Sequence, residues 1–165
     1  MQFTHKNKIN SISNFNILQW NVRSLTARLP SLQYLLANQK YSIAILSETW
    51  LLPSRSTKIP HFRTFRCDRP DGYGGVAIAI HNSFKSKLKP IDMTTKNSLI
   101  RFKIDLIGIE ISKTDLPFPL KVWSCYIPSS SNVPSNLWLI LFKLVTQNSL
   151  LCGDFNAFHP PGVPF

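Results

Sequence analysis

The chain has 165 residues, room for one domain and little space for two. Hydrophobic residues make up 44% and charged residues 16%, an ordinary globular composition with enough apolar side chain for a sizeable core. Nineteen Lys and Arg against eight Asp and Glu leave a net charge of +11. That excess favours a polyanionic partner, because each cation set near a phosphate releases counterions. A solvated basic surface without a partner would carry the same charge. The cations are spread along the chain and do not form a basic tail. Cys67, Cys125 and Cys152 stand far apart, form no C-x-x-C pair and are odd in number, which argues against a disulfide framework and for a reducing compartment. The opening residues lack the apolar stretch of a signal peptide. The longest apolar run, Leu137 to Val145, is broken by Lys143 and too short to span a bilayer. The expectation is an intracellular protein, nuclear or cytoplasmic, neither secreted nor in a membrane.

Residues 1–14 are polar and expected to be a flexible lead-in. Phe15 to Trp20 reads as a buried strand. Arg28 to Gln39 carries Leu32, Leu35 and Leu36 at helical spacing, with Ser31 near its start and Pro30 in or near its first turn. Tyr41 to Leu46 is a second buried strand, and strand, helix, strand in that order fits an α/β layered core. Residues 51–60 read as loop, and His61 to Arg66 alternates weakly, as a strand would. The turn-rich Pro70 to Gly75 feeds the apolar strand Val76 to Ile80. Leu99 to Ile111 and Leu120 to Ile127 read as β-rich runs, expected to pair antiparallel through Lys113 to Pro119. Pro128 to Pro134 reads as loop, Asn136 to Gln147 as an amphipathic helix and Ser149 to Cys152 as a last short strand.

Polar residues stand where these strands end. Asn21 follows the first, Glu48 the second, Tyr126 lies near the end of a later one, and Asp154 and Asn156 follow the last. In layered α/β folds, groups beyond strand ends can converge on one rim. Two carboxylates and two carboxamides are all oxygen donors and suit a hard cation such as Mg²⁺. Taken singly, each has a plainer alternative: Glu48 as a surface carboxylate, Asp154 as a turn residue, Asn21 as a loop cap, His159 as a solvent-facing loop residue.

Gln19-Trp20-Asn21-Val22-Arg23, Ile45-Leu46-Ser47-Glu48-Thr49-Trp50, Gly72-Tyr73-Gly74-Gly75-Val76-Ala77, Trp123-Ser124-Cys125-Tyr126-Ile127-Pro128 and Leu151-Cys152-Gly153-Asp154-Phe155-Asn156-Ala157 follow one another in this order. Together they resemble the motifs of the endonuclease/exonuclease/phosphatase superfamily. The spacing is most similar to the apurinic-type endonuclease domain of jockey-like non-LTR retrotransposons. The resemblance implies a four-layer α/β sandwich of the DNase I-like type, incomplete at its C-terminus, over residues 15–159. It implies DNA as partner, Mg²⁺ or Mn²⁺ as the metal, no small organic cofactor, and a monomer.

By the same resemblance, Glu48 binds the metal with Asn21 in support, and Asp154 orients or deprotonates the attacking water. Asn156 contacts the phosphate or fixes Asp154, and Tyr126 contacts the phosphate or stabilises the leaving oxygen. Charge and loop position add Arg23, Arg66, Arg69 and Tyr73 as DNA contacts, the two later arginines within a basic loop from Arg63 to Arg69. The family's downstream Ser-Asp-His motif and a further Asp are not found in this sequence, and residues 160–165 read as an aberrant tail. The expected activity is therefore weak or absent, leaving a non-catalytic nucleic-acid binder or a phosphatase for small phosphate esters as alternatives.

Overall fold

The computed structural model describes residues 16–112, 116 and 118–156. Expectations for residues 1–14, for His159, for the tail from 160 and for most of the 113–119 connection lie outside these residues.

Among the described residues, eight strands form two four-stranded sheets. In the first, β1 (Ile17–Asn21) runs parallel to β2 (Ile43–Ser47), β2 antiparallel to β4 (Val76–His81), and β4 antiparallel to β3 (Phe62–Cys67). In the second, β5 (Lys85–Lys89), β6 (Asp105–Ser112) and β7 (Leu120–Tyr126) are antiparallel neighbours, and β8 (Ser149–Asp154) runs parallel to β7.

β2 is buried along its whole length and β4 up to its last residue, because both faces of their sheet are covered. Ile43, Ile45, Ile78 and Ile80 point inward against Ile107, Ile109, Ile111 and Val122 of the second sheet. Ala44, Leu46, Ala77 and Ala79 point outward against Leu25, Leu32 and Leu36 of helix α1 (Leu25–Asn38). The small alanines leave room for a helix on that face. Leu106, Trp123 and Cys125 cover the far side of the second sheet. They pack against Leu99 of α2 (Met93–Arg101) and Leu137 and Leu141 of α3 (Ser135–Lys143). The result is four layers: helix, sheet, sheet, helices. Among the described residues, no helix is long and apolar enough to cross a membrane.

Several elements depart from the pattern read in the sequence. α1 begins at Leu25, not Arg28, capped by Ser24, whose Oγ accepts from the Ala27 N–H at 3.4 Å. Pro30 therefore sits inside the helix, on its exposed face, where the carbonyl that loses its donor can meet water. The run from Leu99 to Ile111 is not continuous β-structure. Asp92 caps α2 by accepting from the Thr95 N–H at 2.9 Å, the helix holds Leu99 to Arg101, and β6 starts only at Asp105. A left-handed Lys103 (φ 54°) makes the break. α3 stops at Lys143, short of Gln147. Strand β5 had no signature, since Lys-Ser-Lys-Leu-Lys is an edge strand and its alternation is mostly charged. Arg63 to Cys67 lies within strand β3, so the supposed basic loop is mainly sheet.

Candidate active site

One rim of the two-sheet core gathers the ends of β1, β2, β7 and β8. Asn21 pairs with Ser47 in the last register step of β1 and β2, and the chain after Ser47 is clamped from both sides. Val22, Ser24 and Leu25 donate their N–H groups to the carbonyls of Ser47, Glu48 and Thr49 at 3.0, 3.0 and 2.8 Å. Thr49 and Trp50 in turn donate to the carbonyls of Gly75 and Gly74 at 3.2 and 2.9 Å. This clamp holds Glu48 and Trp50 in left-handed backbone, φ 52° and 50°. Such conformations cost on the order of 1 kcal/mol or more and persist only where surroundings dictate them. The turn Gly74-Gly75 must be glycine. Both residues have φ near +80°, and a Cβ on Gly75 would lie 2.6 Å from Thr49 Oγ1.

The side chains meet across the two sheets. Asn21 Nδ2 donates to Glu48 Oε1 at 2.7 Å and to Asp154 Oδ2 at 2.7 Å. Asp154 Oδ1 accepts from the Asn156 N–H at 3.1 Å. Asn156, itself at φ 42°, donates from Nδ2 to the Ile127 carbonyl at 2.9 Å, tying the segment after β8 to the end of β7. Tyr126 stands opposite Asp154 in the β7–β8 register and opposite Asp105 in β6–β7. Its phenol is pushed above the ordinary tyrosine value, first by burial and then by the negative charge of Glu48, while Arg69 pulls the other way. Gly153 lets β8 approach β7 closely enough for this arrangement, since a Cβ there would fall 1.7 Å from the Cys125 carbonyl oxygen.

The four proposed DNA contacts are placed differently from one another. Arg23 is exposed beside the cluster, with its N–H on Asn21 Oδ1 at 3.3 Å. Tyr73 is exposed and meets the ring of Trp50 edge-on, 6.2 Å between centroids. Arg66 instead turns to Asp68, at 2.7 Å, and to the Arg55 carbonyl at 2.8 Å. Arg69 turns inward to Asp105 at 2.8 Å and to the Lys103 carbonyl. Two residues had been given no role from the sequence. Asp105, 5% exposed, accepts from Arg69 on one oxygen and from the Gly75 N–H on the other at 2.8 Å. Its only sequence signal was a carboxylate heading the apolar run Asp-Leu-Ile-Gly-Ile. Trp50 was visible as a motif residue, without a role.

Two packed sheets flanked by helices, with these polar groups on one rim, are the four-layer α/β sandwich of the DNase I-like type. The chain belongs to the Endonuclease/Exonuclease/phosphatase family, whose sequence profile matches residues 18–165. Solved structures with the same fold include the endonuclease domain of TRAS1, a telomere-specific non-LTR retrotransposon. It is 18% identical, with a TM-score of 0.62, over 87% of this chain and 61% of that one. An AP endonuclease from Archaeoglobus fulgidus is 18% identical, TM-score 0.62, over 89% of this chain and 59% of that one. D. rerio TDP2, solved in complex with a single strand DNA product, is 17% identical, TM-score 0.58, over 88% of this chain and 62% of that one. This chain thus spans about three fifths of the length of each. No curated protein sequence matched it.

Proposed function

We propose that the chain is a partial DNA endonuclease domain, over residues 15–159, of a non-LTR retrotransposon. By ancestry it nicks phosphodiester bonds as a monomer, inside the cell, with Mg²⁺ or Mn²⁺, and this chain by itself would do so weakly or not at all. The observation that carries this reading is the Asn21 amide joining Glu48 and Asp154 across the two sheets. Two carboxylates that share one hydrogen-bond donor lie close enough to share one cation, and the carboxylate oxygens of Glu48 and Asp154 suit a hard divalent ion; the Asn21 amide oxygen, which accepts from the Arg23 N–H, would join them once the amide turns over. When bound there, such an ion supplies charge neutralisation at the phosphate. The chain's own residues supply the rest. Asp154 is oriented by the Asn156 N–H on one oxygen, which supports a role in accepting a proton from an attacking water. Of the two roles open to Asn156, fixing Asp154 is the one its hydrogen bonds support. Tyr126, kept as the neutral phenol, can donate a hydrogen bond to a phosphate or leaving oxygen. Arg23 and Tyr73 offer exposed contacts to the DNA beside the cluster.

The test is plasmid nicking by the purified full chain with Mg²⁺, with EDTA, and with the variants Glu48→Ala and Asp154→Ala. Nicking lost in EDTA and in both variants supports the reading, and nicking that survives both substitutions ends it. A second reading, a nucleic-acid binder without catalysis, is favoured by the net charge of +11. Binding that weakens steeply with salt, with no cleavage under any condition, would identify it. Turnover of a small phosphate diester, with none of DNA, would point to a phosphatase-type substrate instead.

A further inference from the structure

We propose that the Arg69–Asp105 ion pair is a positioning device that holds Tyr126 and the Glu48 segment in register with each other. The proposal rests on the phosphodiesterase reading of the rim above. Asp105 opens β6 directly opposite Tyr126. Its two carboxylate oxygens serve different parts of the site. Oδ1 takes Arg69 Nε at 2.8 Å, and Oδ2 takes the Gly75 N–H at 2.8 Å. On the first path, the guanidinium is fixed at one side by Asp105 and at another by the Lys103 carbonyl, and it lies 5.6 Å from the centre of the Tyr126 ring. On the second path, the turn gripped by Asp105 presents its carbonyls to the N–H groups of Thr49 and Trp50, next to Glu48. One carboxylate therefore links the tyrosine of the second sheet to the strained, left-handed Glu48 of the first.

The geometry also explains why Arg69 is poorly suited to hold DNA. Its side chain is 16% exposed and that of Asp105 is 7%, so the pair is nearly dry. A planar guanidinium clamped at two ends keeps one orientation over an aromatic face, which a flexible ammonium would not. Buried ion pairs contribute little net stability compared with apolar side chains of similar volume. A purely structural role would therefore be replaceable by leucine and methionine, whereas a positioning role would not.

The experiment uses the full chain and the double variant Arg69→Met/Asp105→Leu, which leaves no unpaired buried charge. The readouts are the NMR signals of the Tyr126 ring (assigned with Tyr126→Phe) and of the Trp50 indole, together with kcat and KM for plasmid nicking. The expected result is a folded double variant whose Tyr126 and Trp50 signals both shift and broaden. Its kcat should fall roughly 10- to 100-fold, the scale of a small misplacement, with KM changed by less than about 2-fold. Arg69→Lys, which keeps the charge without the planar fork, should fall between. It gives the same readouts should the double variant fail to fold. Tyr126 and Trp50 signals unchanged in the folded variant would overturn the proposal. Failure of the underlying reading looks different: nicking that survives Glu48→Ala and Asp154→Ala, whatever the signals do.

Discussion

Asn21 and Asp154 are 133 residues apart in sequence, yet the Asn21 amide nitrogen lies 2.7 Å from Asp154 Oδ2 and the same distance from Glu48 Oε1. One neutral donor separates two carboxylates and welds the first sheet to the second at the site. Replacing it by Asn21→Asp would remove the donor and add a third negative charge. Like charges at this spacing repel. The variant should therefore melt several degrees below the parent in metal-free buffer, and millimolar Mg²⁺ should raise its melting temperature more than it raises the parent's. Thermal melts with and without Mg²⁺ check this. Equal Mg²⁺ effects on the two proteins would show that the carboxylates do not share a cation.

Gly153 and Gly108 should differ in what a methyl costs although both lie on strands of the second sheet. A methyl on Gly153 would collide with the Cys125 carbonyl, which belongs to the neighbouring strand's backbone, at φ +153°. Backbone cannot step aside without breaking the β7–β8 pairing. Gly153→Ala should cost more than about 3 kcal/mol, or prevent folding. A methyl on Gly108 would meet the Trp123 ring at 2.2 Å, and a side chain can repack, so Gly108→Ala should cost about 1 to 3 kcal/mol. Urea denaturation of the two variants orders them, and the reverse order would contradict the close-approach argument.

Tyr126 should shape stability at alkaline pH. Burial and the nearby Glu48 charge raise its phenol in the folded state. A raised group stabilises the fold fully below the unfolded tyrosine value, near 10, and loses that contribution as pH rises through the folded value. The melting temperature should therefore fall as pH climbs above about 10, and Tyr126→Phe should flatten that fall. An identical alkaline slope in the two proteins would exclude Tyr126 as its source.

Thiol chemistry should be suppressed throughout. Burial, with a smaller contribution from Asp105, pushes Cys125 up to about 12, and burial also raises Cys67 and Cys152. The thiolate is the reactive form. Alkylation of Cys125 at about pH 8 should be on the order of 10³-fold slower in the native protein than in urea. Mass spectrometry of iodoacetamide-treated protein measures it. Fast native labelling of Cys125 would mean that β7 opens readily.

The apolar runs around Ile43 and Val76 announced two strands buried on both faces, and the structure pairs them at the centre of the first sheet. β5 and α2 were illegible for a different reason. Their residues are largely exposed and polar, so burial left no periodic mark, and α2 is defined by its Asp92 cap more than by an apolar face. Pro30 misplaced the start of α1, because a proline on an exposed helical face is tolerated one turn deeper than a first-turn preference suggests.

Within the site, the kinds of group and their places at strand ends could be read from the chain, because strand ends follow from local hydrophobic patterning. Their mutual distances could not. Asn21, Glu48 and Asp154 meet only because the two sheets pack face to face through Ile45, Ile78 and Ile109, and nothing local encodes that docking. The arginines show the same limit most sharply. By sequence, Arg23, Arg66 and Arg69 were equivalent positive charges. Only tertiary structure left Arg23 in solvent and paired Arg66 with Asp68 and Arg69 with Asp105, because a long cationic side chain settles on whichever carboxylate the fold brings within reach.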